Sequence, residues 1–276
     1  MIINAKQLPN FLLIGANKAG TTSIYHYLQQ HPEIGMASIK EPMFFTAHNT
    51  LKSAASIDSS TLNQPFFIRD LTQYQQLFVG HEHKLARGEC STAYLPNPHL
   101  AVPRIKALCP DMKIIVCLRH PIARAYSNYL MYYGDGLETR SFEQAVIDEM
   151  AGHLHKAPTR GAEYLRLSLY AQSLNAYVKA FGRWRVLVLR YDDLQRTPLV
   201  FMKRIFRFLS VDDSFTPNVR RRFNSNKQWL SQTEKPQMSP YAAAQCQQYF
   251  AKDLSELQLL FPKLAVDSWL SAEVEP

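Results

Sequence analysis

At 276 residues, 46% of them apolar, the chain can build a sizeable core as one large domain or two small ones. No stretch reaches the ~20 apolar residues that span a bilayer. FLLIGA near the start lacks the length, basic flank and cleavage site of a secretion signal, so a soluble cytoplasmic protein is expected. The net charge of +8 suits an anionic ligand, from nucleic acid to a small polyanion, without selecting one.

In chain order, short β-rich runs fall at residues 11–15, 34–37, 84–90, 113–118 and 185–190. Helical patterns fall at 22–30, 121–133, 141–150, 164–181, 198–209 and 240–260, the last opened by Ser239-Pro240 in the manner of a capped N-terminus. Strands alternating with helices predict βαβ units and a parallel sheet. KIIVCL and VLVL are continuously apolar, as strands buried on both faces should be. The expected fold is therefore α/β: a P-loop-type parallel sheet of about five strands with helices on both faces, in a single domain over residues 1–276. Irregular segments lie at 52–64, 152–163 and 212–238, and no internal repeat is visible. Cys90, Cys109, Cys117 and Cys246 form no CxxC pair, so buried thiols are expected in place of a metal or disulfide framework.

The stretch GANKAGTTS, residues 15–23, nearly completes the triphosphate loop G-x-x-x-x-G-K-[ST]. Gly15, Gly20 and Thr22 are in place, but Thr21 occupies the lysine position and Lys18 comes three residues earlier. A strand before this turn and a helix after it, opened by the cap-forming residues Thr21, Thr22 and Ser23, would aim backbone N–H groups and a helix dipole at an anion. A tight βα turn with ordinary capping is the competing reading. The displaced lysine argues against ATP hydrolysis, where the lysine serves the β- and γ-phosphates and the Ser/Thr serves magnesium. A sulfuryl group carries less charge than a terminal phosphoryl, so a transfer site could work with one lysine and no metal. Lys18 can then reach the bridging oxygen of a phosphosulfate and stabilise the leaving charge.

These residues resemble the 5′-phosphosulfate loop of sulfotransferases that use 3′-phosphoadenosine 5′-phosphosulfate (PAPS). A second stretch, CLRHPIARAYSNYLMYY, follows roughly 100 positions later and resembles the family's 3′-phosphate motif, with Arg119 ending a strand and Ser127 on the next helix. The resemblance implies PAPS as co-substrate, held by Lys18, Ala19, Gly20, Thr21, Thr22, Ser23, Arg119 and Ser127, with no metal. SIKEPMFF resembles the E-x-x-F-F segment of the carbohydrate enzymes and implies Glu41 as general base, with Lys18 as the other catalytic residue. GECSTAYL resembles a segment that often carries lysine where this chain has Cys90, a departure that leaves Lys18, together with Lys40, to supply the cations. SLY and VLRYDDL resemble the later bacterial-type pattern, in which Tyr170 is either a nucleotide contact or a core residue.

Another branch of the family uses a histidine as base, which makes His48, just after Glu41, the reserve candidate; the remaining histidines are expected on the surface. The basic stretch RRRFNSNK, residues 220–227, either covers the nucleotide or is a solvated loop. Eukaryotic carbohydrate members carry a Golgi membrane anchor, so the resemblance implies a bacterial-type, cytoplasmic member. The implied acceptor is a hydroxyl of a saccharide or small metabolite, with no nucleic-acid partner and no membrane span. The oligomeric state and the acceptor itself are not legible. Two other readings remain open: a P-loop small-molecule kinase, which requires magnesium and ATP, and a non-enzymatic nucleotide or nucleic-acid binder, which rests on the basic charge alone.

Overall fold

The structure is a computed structural model, and it describes residues 5–47, 68–153, 162–220, 223 and 236–271. Five strands, β1 (Phe11–Leu13), β2 (Ile34–Met36), β3 (Ala86–Cys90), β4 (Lys113–Leu118) and β5 (Val186–Arg190), form one sheet in the order β2-β3-β1-β4-β5. Every pairing is parallel, with Leu13 opposite Cys90 on one side and Ile115 on the other. The two inner apolar runs behave as their composition demands: Phe11–Leu13 and Ile114–Leu118 are fully buried, with helices flanking the sheet.

The helices are α1 (Thr21–Leu28), α2 (Leu71–Gln76), α3 (Pro98–Leu108), α4 (Pro121–Gly134), α5 (Phe142–Met150), α6 (Ala171–Phe181), α7 (Tyr191–Arg196), α8 (Pro198–Leu209), α9 (Pro240–Leu260) and the short α10 (Ser268–Ser271). Ser239 caps α9 by accepting from the Ala242 N–H at 3.0 Å, with Pro240 in the first turn, as the sequence indicates. None of the described helices is long and apolar enough to cross a membrane. The four cysteines are free and buried.

Two local expectations are corrected. The helical pattern at 164–181 is broken: a single 3₁₀ turn at Arg166–Ser168 precedes α6, and Leu169 between them is extended. The break is stabilised from far away in sequence, because the buried Asp253 carboxylate on α9 accepts from the N–H groups of Tyr170 and Ala171 and caps α6. The cap of α1 is also not a threonine or serine. It is Gly20, in the left-handed region (φ 78°) with no side-chain cap bond. A side chain there would sit 2.7 Å from Leu194 and 2.9 Å from Tyr191, so the turn needs glycine for both its dihedral and its clearance.

Parallel pairing places every strand's C-terminal end on one rim, and the pairing continues past the strands. The Ile14 N–H donates to the Ile115 carbonyl and the Ala16 N–H to Cys117, which lays residues 15–18 beside the end of β4. On the other side the Ser91 N–H donates to Leu13, and the Glu41 N–H to the Cys90 carbonyl at 2.8 Å. The strand order thus becomes a spatial order of loops: residue 41, residues 90–92, residues 15–20, residue 119.

Candidate active site

That rim carries a cleft of about 390 Å³ lined by Lys18, Gly20, Thr21, Thr22, Ser23, Lys40, Glu41, Arg119 and Ser127 among others. Three stretches, residues 18–23, 40–41 and 119–127, meet in it, the last more than seventy residues further along the chain than the second. Ala19 is the exception among the expected ligand residues: it is fully buried beneath the turn, with its N–H already donated to the Ala16 carbonyl at 3.2 Å.

Lys18 has a positive φ of 68°, and so does Glu41 at 60°; Met43 follows at 52°. A non-glycine residue in the left-handed region costs on the order of 1 kcal/mol or more and persists where surrounding contacts hold it. The two residues the sequence marks as catalytic are therefore both held in unfavourable backbone conformations on facing loops.

On the Lys18 side, positive charge accumulates with little to balance it. The Lys18 ammonium has three donors, and its hydrogen-bond partner among the described residues is the Met131 sulfur at 3.6 Å, a weak acceptor. Burial, then the Arg119 and Arg124 charges, pulls its pKa from 10.5 to about 8, with Asp135 opposing. Arg119 donates to the Lys18 carbonyl at 3.3 Å, and its guanidinium lies 5.2 Å from the centre of the Tyr191 ring. Ser127, two turns into α4, is buried and lines the cleft. The helix begins directly after Arg119 because Pro121 suits its first turn and His120 Nδ1 accepts from the Ile122 N–H.

On the Glu41 side the groups are satisfied. The carboxylate accepts from the Thr92 N–H at 2.8 Å, from Thr92 Oγ1 at 3.1 Å and from the Lys40 ammonium at 2.8 Å. Burial pulls the Lys40 pKa down, but Cys90 and Glu41 beside it outweigh burial and leave it raised. Cys90 itself is fully buried and brings no positive charge, so the cation beside Glu41 in the cleft is Lys40. One position before Cys90, Glu89 is also fully buried; burial pushes its carboxyl up to about 7 against the hydrogen bonds from Tyr94 and Ser91, while the Glu41 charge adds to the rise.

Several residues in or beneath the cleft were not singled out in the sequence. Arg124 is fully buried on α4, with Nε on Ser168 Oγ at 2.5 Å and Nη2 on the Tyr164 carbonyl at 2.6 Å; no carboxylate among the described residues bonds to it. Its only signal was its place three residues before Ser127 on the same helix. Tyr191, Leu194 and Pro198, just after β5, form one wall, and Tyr27, Val219 and Phe223 another. Phe223 is fixed by its N–H to Ser23 Oγ at 3.2 Å and by the His26 ring at 4.1 Å. Of the basic stretch at 220–227, only Arg220, which is exposed, and Phe223 lie among the described residues.

Tyr170 is fully buried and donates to the Arg119 carbonyl at 3.0 Å, so it holds the strand end and is a core residue. His31 corrects the expectation of surface histidines: it is buried, accepts at Nδ1 from the Glu33 N–H and meets the Asp212 carbonyl through Nε2 at 2.8 Å. His120 is likewise engaged, with Nε2 at 3.1 Å from the Trp269 carbonyl. His48 lies outside the described residues. No cluster of histidine, cysteine and carboxylate side chains that could hold a metal ion occurs among the described residues.

Comparisons with known proteins bear on the family and the fold. A family model described as "Sulfotransferase family" matches residues 9–217. Mouse carbohydrate sulfotransferase 15 is 26% identical over 247 residues, covering 74% of this chain and 44% of that protein. Mouse heparan sulfate glucosamine 3-O-sulfotransferase 3B1 is 25% identical over 209 residues, covering 75% of this chain and 47% of its own. The chain thus spans less than half the length of these curated relatives. A solved sulfotransferase from Alicyclobacillus acidocaldarius superimposes with a TM-score of 0.79 at 29% identity, over 95% of this chain and 98% of the other. A mouse sulfotransferase solved in complex with PAP shares the fold, with a TM-score of 0.53 at 13% identity over 89% of this chain and 84% of the other.

Proposed function

The chain belongs to the sulfotransferase family, and from that premise we propose that it transfers a sulfuryl group from PAPS to a hydroxyl of a saccharide or small metabolite, with Glu41 as general base. The observation that carries this reading is the meeting of Lys18, Arg119 and Ser127 with Glu41 across one cleft.

The residues present fit a polyanionic nucleotide. Arg119 and Arg124 lie close enough to Lys18 to add to the depression of its pKa by burial, and among the described residues the Lys18 ammonium bonds to nothing stronger than a thioether. When bound, PAPS supplies the activated sulfuryl group. Lys18 and the start of α1 hold the 5′ end and stabilise charge on the leaving oxygen. Arg119 and Ser127 hold the 3′-phosphate. Tyr191, Leu194, Phe223 and Tyr27 offer apolar and aromatic faces to the adenine. Glu41, on the opposite loop, takes the proton of the attacking hydroxyl. Thr92 and Lys40 fix the direction of its carboxylate, which leaves one motion, that of the acceptor, to complete the geometry. A saccharide acceptor is favoured by the carbohydrate-sulfating relatives and by the KEPMFF segment that carries Glu41.

Thermal shift with 3′-phosphoadenosine 5′-phosphate (PAP) against ATP–magnesium tests the donor. Stabilisation by PAP without added metal is expected, and stabilisation by ATP–magnesium alone would return the kinase reading. Label transfer from ³⁵S-PAPS across desulfated glycosaminoglycans, simple glycosides and phenols then identifies the acceptor.

A further inference from the structure

The loop that presents Glu41 is held in an unusual way. It contains two left-handed residues, Glu41 and Met43, so its backbone needs external bonds to stay in place. Two such bonds come from hydroxyls. Ser91 Oγ accepts from the Met43 N–H at 3.0 Å, and Tyr94 Oη accepts from the Phe45 N–H at 3.3 Å. Each hydroxyl has one hydrogen, and both hydrogens go to the same acceptor: Ser91 to Glu89 Oε2 at 2.8 Å and Tyr94 to Glu89 Oε1 at 2.6 Å. A third hydroxyl, Tyr74 on α2, donates to Oε1 at 3.2 Å. Its ring stacks on Phe44 at 4.1 Å, within the same loop.

The polarity of this array is what matters. A serine or tyrosine hydroxyl can face an N–H only with a lone pair, so its hydrogen must point elsewhere. In its ionised form Glu89 accepts and does not donate, so it turns the hydrogens of Ser91 and Tyr94 toward itself and their lone pairs toward the loop. A neutral amide of the same shape would present an N–H₂ to one of them; that hydroxyl would have to meet it with a lone pair as well, its hydrogen would lose its acceptor, and its hold on the N–H of residue 43 or 45 would weaken. Among the described residues no cation bonds to Glu89, so the carboxylate is not there to make an ion pair. A buried carboxylate without a cation is costly. Its retention fits a directional task.

We infer that Glu89 is a positioning residue for the Glu41 loop: its carboxylate orients Ser91 and Tyr94 so that they hold the backbone at Met43 and Phe45, and thereby the carboxylate of Glu41. The inference rests on the reading of Glu41 as base only for its catalytic consequence; the mechanical link stands on the hydrogen bonds alone.

The test uses Glu89→Gln in the full chain, with hydrogen–deuterium exchange resolved to residues 41–46, PAP affinity, and sulfate transfer to the acceptor found above. Exchange at Met43 and Phe45 is expected to speed up by about tenfold or more, as for the loss of a buried hydrogen bond. Strands β1 and β4 should remain protected, and PAP affinity should stay within about threefold because no nucleotide-side group is touched. Transfer should fall at unchanged Michaelis constant for PAPS. A merely structural role would instead raise exchange across the sheet and weaken PAP binding together with turnover. Should Glu89→Gln fail to fold, Ser91→Ala and Tyr94→Phe divide the question: the first should expose only Met43, the second only Phe45. Unchanged exchange at both amides overturns the inference whatever Glu41→Gln does to turnover, so the two readings fail separately.

Discussion

The two halves of the cleft differ in how their polar groups are satisfied. Around Lys18 and Arg119, cations cluster, one of them bonded to a thioether, and the lysine is depressed to about 8 by burial and by its neighbours. Around Glu41 and Glu89, every carboxylate oxygen accepts at least one hydrogen bond between 2.6 and 3.2 Å. The difference follows from what each half is proposed to receive. A nucleotide brings several negative charges, so the donor side is left short of anions and pays its desolvation cost until one arrives. An acceptor brings only a hydroxyl, so the base must be aimed beforehand by bonds internal to the protein.

The sharpest way to break that comparison is to neutralise one residue on each side. Glu41→Gln should lower turnover by ~10²–10⁴ while PAP affinity, read by calorimetry, stays the same. Lys18→Ala should lower turnover by ~10²–10³ and weaken PAP binding as well, since its charge answers the ligand's in the ground state too. If Glu41→Gln weakens PAP binding as much as Lys18→Ala does, the two halves are not separate devices. Full turnover in Glu41→Gln would instead move the base elsewhere, with His48 next in line.

A smaller effect sharpens the donor side. Arg119→Ala should raise the Michaelis constant for PAPS by about tenfold or more, the worth of a charge-assisted hydrogen bond. It should also erase the preference for PAPS over the analogue lacking the 3′-phosphate. An intact preference would leave the strand end at residue 119 as a mere junction. The pH dependence follows from Lys18: as pH rises through about 8 the free protein loses the ammonium, and PAP affinity should begin to fall. The decline should approach tenfold per pH unit, and Lys18→Arg should flatten it, because a guanidinium does not titrate there.

Much of this architecture was legible from residues close together in the sequence. The apolar runs gave all five strands to within two residues at each end, and the two motifs named Lys18, Arg119 and Ser127, which the parallel rim then brought together. What was not legible depends on partners far along the chain. Asp253 stops the helical pattern before Ala171 from 82 residues away. Tyr191 and Phe223 reach the cleft, and the Arg124 charge comes near Lys18, only once β4, β5 and α1 are in place. The Glu89 array joins residues 43, 45, 74, 91 and 94, and in the sequence Glu89 is simply a charged residue in a strand. The helix start at Gly20 was misread because Thr21, Thr22 and Ser23 are all cap formers, while the clearance against Tyr191 and Leu194 that demands glycine is a tertiary fact.

The smallest expected effect is on stability, and its sign comes from the same imbalance. Lys18 has a folded-state pKa near 8 against 10.5 when exposed, so the fold binds this proton less tightly than the unfolded chain does. Below pH 8 both states are protonated and folding carries the full cost of burying the ammonium; as pH rises from 8 past 10.5 that cost disappears. The shift corresponds to roughly 3 kcal/mol at most. Lys18→Met keeps the length and the contact with Met131 but removes the charge, so at pH 7 the ligand-free variant should melt higher than the wild type. At about 2–4 °C per kcal/mol for a chain of this size, a gain of several degrees is expected, shrinking as the scan is repeated toward pH 10. Added PAP should stabilise the wild type more than the variant. A residue kept at a cost to the empty protein and repaid by its ligand is the signature of a binding function traded against stability. A melting temperature that drops in Lys18→Met, or a gain that does not change with pH, would remove the burial cost on which the contrast between the two halves rests.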